Sequence, residues 1–154
     1  MLRKLISITI IVTIVIVGIS FLIPDKNTES EFLTLEEYKI IETSINDVSI
    51  SMYVADTQEK IVRGLSNIEK LEDDEGMIFI FPEERERIFW MKDMNFPLDI
   101  LWFNSNNELV HMEENVLPEN YPEKYGKGSV AQYVLEFNAG FVKNNNLSNL
   151  YLEQ

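Results

Sequence analysis

The sequence predicts a mainly β, α+β protein. It reads as a compact antiparallel barrel- or sandwich-like domain with one or two short helices, preceded by an N-terminal transmembrane helix. Three observations predict this. Short apolar runs outnumber helical patterns and are separated by turn signals. Val48, Ile50, Met52 and Val54 alternate with Ser49, Ser51 and Tyr53, the period of a strand with one buried face. An uncharged run from Leu5 to Ile23 follows Arg3 and Lys4.

At 1.5 Å rise per residue, about 19 residues cover roughly 28 Å, close to a hydrocarbon core. Pro24 and Asp25 end the run. With Arg3 and Lys4 ahead of it, the positive-inside rule places the N-terminus in the cytoplasm and the remainder outside. The competing expectation is a cleaved signal peptide and a secreted domain, which needs a shorter core and a small-x-small cleavage site. Gly18 and Ser20 are followed instead by Phe21-Leu22-Ile23, which favours an uncleaved anchor over residues 1–24. Residues 25–37 read as an acidic solvated spacer and residues 38–154 as the domain.

Within the domain, Lys39 to Glu42 and Val48 to Val54 are the first strands, divided by the Asn46-Asp47 turn signal. Asp56-Thr57-Gln58-Glu59 has the caps of a helix start, Ile61 and Leu65 share a helical face, and Gly64 is a stop. Glu72 to Gly76 is an acidic turn. Met77 to Phe81 is apolar throughout, so both faces of that strand are expected to be covered. Pro82 is expected to end it, with Glu83 to Arg87 a charged loop. Ile88 to Met91 and Leu98 to Phe103 are further strands. Asn104 to Asn107 turns into Glu108 to Val116, and Pro118 to Gly128 is a long loop. Val130 to Phe137 is a strand, Asn138 caps a short helix over Ala139 to Lys143, and Leu147 to Leu152 is a last strand.

Charge and composition exclude several functions. The formal net charge is −13, so the bulk field repels nucleic acid and anionic lipid, and no nucleic-acid partner is expected. Without cysteine there is no disulfide, thiolate metal site or cysteine nucleophile. His111 is the single histidine, which rules out a multi-histidine metal centre within the chain. No phosphate loop, dinucleotide fingerprint or Ser/His/Asp order is present, so neither metal nor cofactor is expected.

Six fragments occur in order: Ala55-Asp56-Thr57, Arg63-Gly64-Leu65, Asp74-x-Gly76-Met77-x-Phe79-x-Phe81, Phe89-Trp90-Met91-Lys92, Pro97-Leu98-Asp99-Ile100 and Val134-Leu135-Glu136-x-x-Ala139-Gly140. Together they resemble the family called domain of unknown function 192, from about Tyr38 to the C-terminus. The resemblance implies a compact, mostly β domain, often behind a signal or anchor sequence, and no established activity. Ser66 stands where the family commonly has Met, and Asp93-Met94 where Asn-Thr is usual.

The candidate site lies in Phe89 to Ile100, where Lys92 and Asp99 sit among aromatic and aliphatic residues. A charge carried into apolar surroundings must be paired or neutralised. The expectation is that Lys92 and Asp99 meet near one end of the barrel, joined by Arg63 and Glu136. Read functionally, this is a ligand pocket walled by Trp90 or Trp102, with a Lys of lowered pKa able to bind or attack an acidic or carbonyl group. Read structurally, it is an ion pair tying two strands together. The domain is thus expected to be a binding or accessory module of the cell envelope, tethered through residues 5–23, with a small-molecule or envelope protein partner. The alternative is an enzyme acting on an envelope substrate through the Lys/Asp/Arg/Glu cluster. A cleft holding at least two of these side chains, part-exposed, favours the enzyme, whereas full burial and mutual pairing favour a scaffold.

Overall fold

The computed structural model describes residues 34–45 and 48–147. The segment expected to span the membrane, most of the expected spacer and all but the first residue of the strand expected at Leu147 lie outside the described residues. Among the described residues, no helix is long and apolar enough to cross a membrane.

Six strands form one sheet: β1 (Lys39–Ile45), β2 (Val48–Ala55), β3 (Glu75–Glu86), β4 (Leu98–Phe103), β5 (Leu109–Val116) and β6 (Val130–Asn138). Their order is β1-β2-β3-β6-β4-β5. Every neighbouring pair is antiparallel except β2 and β3, which run parallel. The sheet is therefore mixed and open, with β1 and β5 at its edges: the mainly β content with short helices is as expected, and the antiparallel barrel- or sandwich-like arrangement is corrected. Helix α1 (Gln58–Arg63) and the turns after it carry the chain back to the starting end of the sheet. A helical crossover of that kind places the next strand parallel to the last.

Local chemistry explains α1. Its N-cap Thr57 accepts the Lys60 amide through its side chain at 3.4 Å. Gly64 closes it at φ +52°, donating its N–H to the Lys60 carbonyl at 2.8 Å. A Cβ at residue 64 would stand 3.2 Å from the Phe79 ring, so a small residue is needed for this approach as well.

Three further expectations are corrected. Pro82 does not end its strand: β3 runs on to Glu86, and the register with β6 shifts between Ile80 and Arg85. A residue without an N–H is tolerated where the ladder is already irregular. Ile88 to Met91 is not a strand, because only Phe89 pairs, in an isolated bridge with Tyr125. Asn138 belongs to β6, and the short helix α2 (Phe141–Asn144) is preceded by Gly140 at φ +89°. The Asn138 amide instead donates to the carbonyls of Leu71 and Glu72.

Strand alternation divides the core between the two faces of the sheet. Leu98, Ile100 and Trp102 of β4 join Met77, Phe79, Phe81 and Val134 on one face. Leu101 and Phe103 join Ile50, Met52, Leu135 and Phe137 on the other, under Phe141 and Val142 of α2. The candidate site is built on the first face.

Candidate functional site

A cleft of about 300 Å³ opens on that face. Phe79 and Phe81 of β3 form its floor together with Glu136 of β6. One wall is the end of α1 and its exit, from Ile61 to Ser66. The other is the segment leaving β3, including Arg87, Phe89, Trp90, Lys92 and Met94. The walls are tied at one end. Ser66 Oγ donates to the Lys92 carbonyl at 3.0 Å, the Asn67 amide to the Asp93 carbonyl at 2.8 Å, and the Asn95 side-chain amide to the Ile68 carbonyl at 2.8 Å.

The second wall is held from behind. Phe89 and Tyr125 exchange main-chain hydrogen bonds of 3.1 and 2.9 Å. The Phe89 ring meets Phe79 and Trp102 edge-on, with centroids 4.9 and 5.8 Å away. Trp102 Nε1 donates to the Arg87 carbonyl at 2.8 Å. Gly126 lies against both, at φ +79°, and a Cβ there would stand 2.5 Å from that carbonyl and 2.6 Å from the indole.

Glu136 is 5% exposed, and desolvation pushes its carboxyl up to about 8. Burial also raises the Tyr38 phenol, an effect that the Arg63 charge opposes and the Glu136 charge reinforces. Arg87 lies flat on Phe81, its guanidinium carbon 3.8 Å from the ring centroid. Burial, then repulsion from Arg85, lowers its pKa, while Glu83 acts the other way. Its Nε donates to the Ala131 carbonyl at 3.4 Å and its Nη2 to the Glu83 carbonyl at 2.5 Å.

Of the five residues singled out in the sequence, Arg63, Trp90, Lys92 and Glu136 line this cleft. Asp99 does not. It lies on the other face, with Leu101, where its carboxylate accepts the amides of Asn115 and Val142 at 2.9 and 3.0 Å. The expected Lys92–Asp99 pair is therefore corrected: two backbone donors, not a cation, satisfy the buried acid. Lys92 is about half exposed, and among the described residues its nearest carboxylate is Asp93, at 4.0 Å. The desolvation expected of it is absent. Trp90 is also half exposed at the cleft mouth, edge-on to Tyr121 with centroids 6.2 Å apart, whereas Trp102 is wholly buried. His111 is on edge strand β5, 2.9 Å from Glu113 and beside the Trp102 ring.

Sequence reasoning missed Arg87, Phe81 and Phe89 as lining residues. Reading Glu83 to Arg87 as a solvated loop hid Arg87. The signal was Phe81 ahead of it and Ile88-Phe89 behind it, an apolar frame that a free loop does not need.

Gly64 against Phe79, Trp90 at the mouth and Glu136 beneath both come from separate fragments of the ordered pattern. A family model for DUF192, described as Uncharacterized ACR, matches residues 40–149. The chain belongs to this family. No curated protein matches the chain. The crystal structures similar to this chain include two proteins of known source. One is a Sinorhizobium meliloti protein provisionally named a transcription regulator. It is 28% identical, with a TM-score of 0.70, over 75% of this chain and 94% of that one. The other is a protein of unknown function from Novosphingobium aromaticivorans, 22% identical with a TM-score of 0.68, over 75% of this chain and 85% of that one. The second shares the fold alone. The cleft of this DUF192 domain is therefore read from its own side chains.

Proposed function

We propose that this DUF192 protein is a binding module of the cell envelope, anchored by residues 5–23 with its domain outside, and that the cleft over Glu136 is its ligand site. The observation that carries the reading is a concave hollow of mixed aromatic and aliphatic side chains that also holds a buried carboxyl and basic side chains. A scaffold would have closed these groups on one another, but Lys92 and Trp90 remain half exposed at the mouth. The only hydroxyl-bearing side chain in the lining, Ser66, donates to a carbonyl of the opposite wall. Among the described residues the lining then offers no free alcohol, and its candidate nucleophiles are Lys92 and the carboxyls of Glu86 and Glu136.

A thermal-shift screen of the full chain in non-ionic detergent, against envelope-derived small molecules and ions, tests binding. A ligand in excess of its dissociation constant raises the melting temperature, and Trp90→Ala and Glu136→Leu weaken it. A screen in which nothing binds refutes the module. The anchor is tested separately. The chain has no cysteine, so Thr28→Cys supplies one thiol. Labelling of intact cells by a membrane-impermeant maleimide, with the protein in the membrane fraction, is expected. Labelling only after lysis refutes the orientation, and a shortened soluble product refutes the anchor.

An enzyme is the second reading, and the cleft meets the condition for it, because Arg63 and Lys92 are both part-exposed in one hollow. Arg63, Lys92 and Glu136 share the cleft, and a carboxyl held protonated near neutral pH is suited to general-acid work. Turnover of an envelope substrate that Glu136→Gln abolishes without weakening binding would establish it.

A further inference from the structure

We infer that the cleft takes a small organic acid, its carboxylate among Lys92, Arg63 and Glu136 and its apolar body against Phe89 and Trp90. The inference rests on the binding-module reading and names the ligand class for that site.

The cleft lining is richer in cations than the chain as a whole. The whole chain carries −13, yet the cleft lining sets Arg63, Arg87 and Lys92 against two acids, Glu86 and Glu136. Glu86 keeps its charge, and its Oε1 accepts the Gly128 amide at 2.6 Å. Glu136, pushed up to about 8 by burial, is mostly neutral at pH 7 and offers a hydroxyl donor instead of a charge. Among the lining residues three cations then stand against one charged acid, with Glu83 near Arg87 and Asp93 near Lys92 outside the lining. A carboxylate there receives a short charge-assisted bond from the Glu136 hydroxyl and a second from the Lys92 ammonium. The 4.0 Å contact between Lys92 and Asp93, both half exposed, is too weak and solvent-screened to hold that ammonium back. An organic cation would meet three like charges and one opposite charge, Glu86, in the lining. The volume is at the small end of ligand sites, which suits a compact acid.

The test uses the full chain in non-ionic detergent, with 4-phenylbutyrate, hexanoate and 4-hydroxyphenylacetate, each beside its primary amide. At least one acid is expected to raise the melting temperature at millimolar concentration while its amide does not. Lys92→Gln should melt as the wild type does and bind that acid about tenfold more weakly, the loss of one charge-assisted contact. Amides that bind as tightly as the acids overturn the inference but leave the binding module standing. An unchanged affinity in Lys92→Gln does the same. Silence from all six probes also overturns it, and the neutral ligands of the wider screen then decide the module separately.

Discussion

Trp102, from the core of β4, donates its indole N–H to the main-chain carbonyl of Arg87 at 2.8 Å. This bond fixes the start of the cleft wall to the sheet although the wall is not itself a strand. Trp102→Phe keeps most of the packing and removes the donor. The change should cost about 1–3 kcal/mol, the range for a polar group left without its partner. Urea denaturation measures it. A loss of ligand affinity larger than the loss of stability would show that the wall has also moved.

Gly126 packs on both members of that pair. Gly126→Ala forces a Cβ into the Arg87 carbonyl and the indole at positive φ. We expect at least about 1 kcal/mol of destabilisation, since backbone and a buried ring cannot easily give way. The neighbouring Gly128→Ala has open space around its Cβ. It should suffer only from its φ of +83°, so it is the milder variant in the same melting experiment.

Asp99 and Lys92 separate stability from binding. Asp99→Ala leaves the Asn115 and Val142 amides without their acceptor, at about 1–3 kcal/mol for each. It should leave cleft binding intact, because the carboxylate lies on the opposite face. Lys92→Met, at an exposed position, should change stability by less than about 0.5 kcal/mol. A sharp fall in stability without loss of binding in Lys92→Met would return this residue to a structural role.

Glu136 makes stability depend on pH. Its folded pKa is raised from 4.5 to about 8, so the native state holds a proton that the unfolded chain releases. Its contribution is fully present below pH 4.5 and is lost as pH rises through 8. Free energies from urea titrations should therefore fall by a few kcal/mol across this window. Glu136→Gln should flatten that part of the profile. An identical slope in the variant would mean that other groups set it.

Much of the fold could be read from local pattern. The alternation of Val48 to Val54, the apolar run of Leu98 to Phe103 and the Thr57 and Gly64 caps of α1 depend on neighbours within a few residues. Strand order does not, and β6 enters between β3 and β4 through pairings that no local pattern specifies. The strand through Pro82 was hidden for a similar reason, because a break in the ladder lets an unfavourable residue stay.

The sequence by itself determined the family and most of the strands and singled out four residues that line the cleft, because apolar periodicity and ordered fragments are local properties. Its uncharged N-terminal run also sets the expectation of an anchor. Only the tertiary structure decided which charges meet. Alternation along β4 and β6 sends Asp99 to one face and Glu136 to the other, so partnership depends on the side of the sheet and not on distance along the chain. Asp99 met two amides, Lys92 stayed in solvent, and Glu136 was left buried beneath an aromatic cleft.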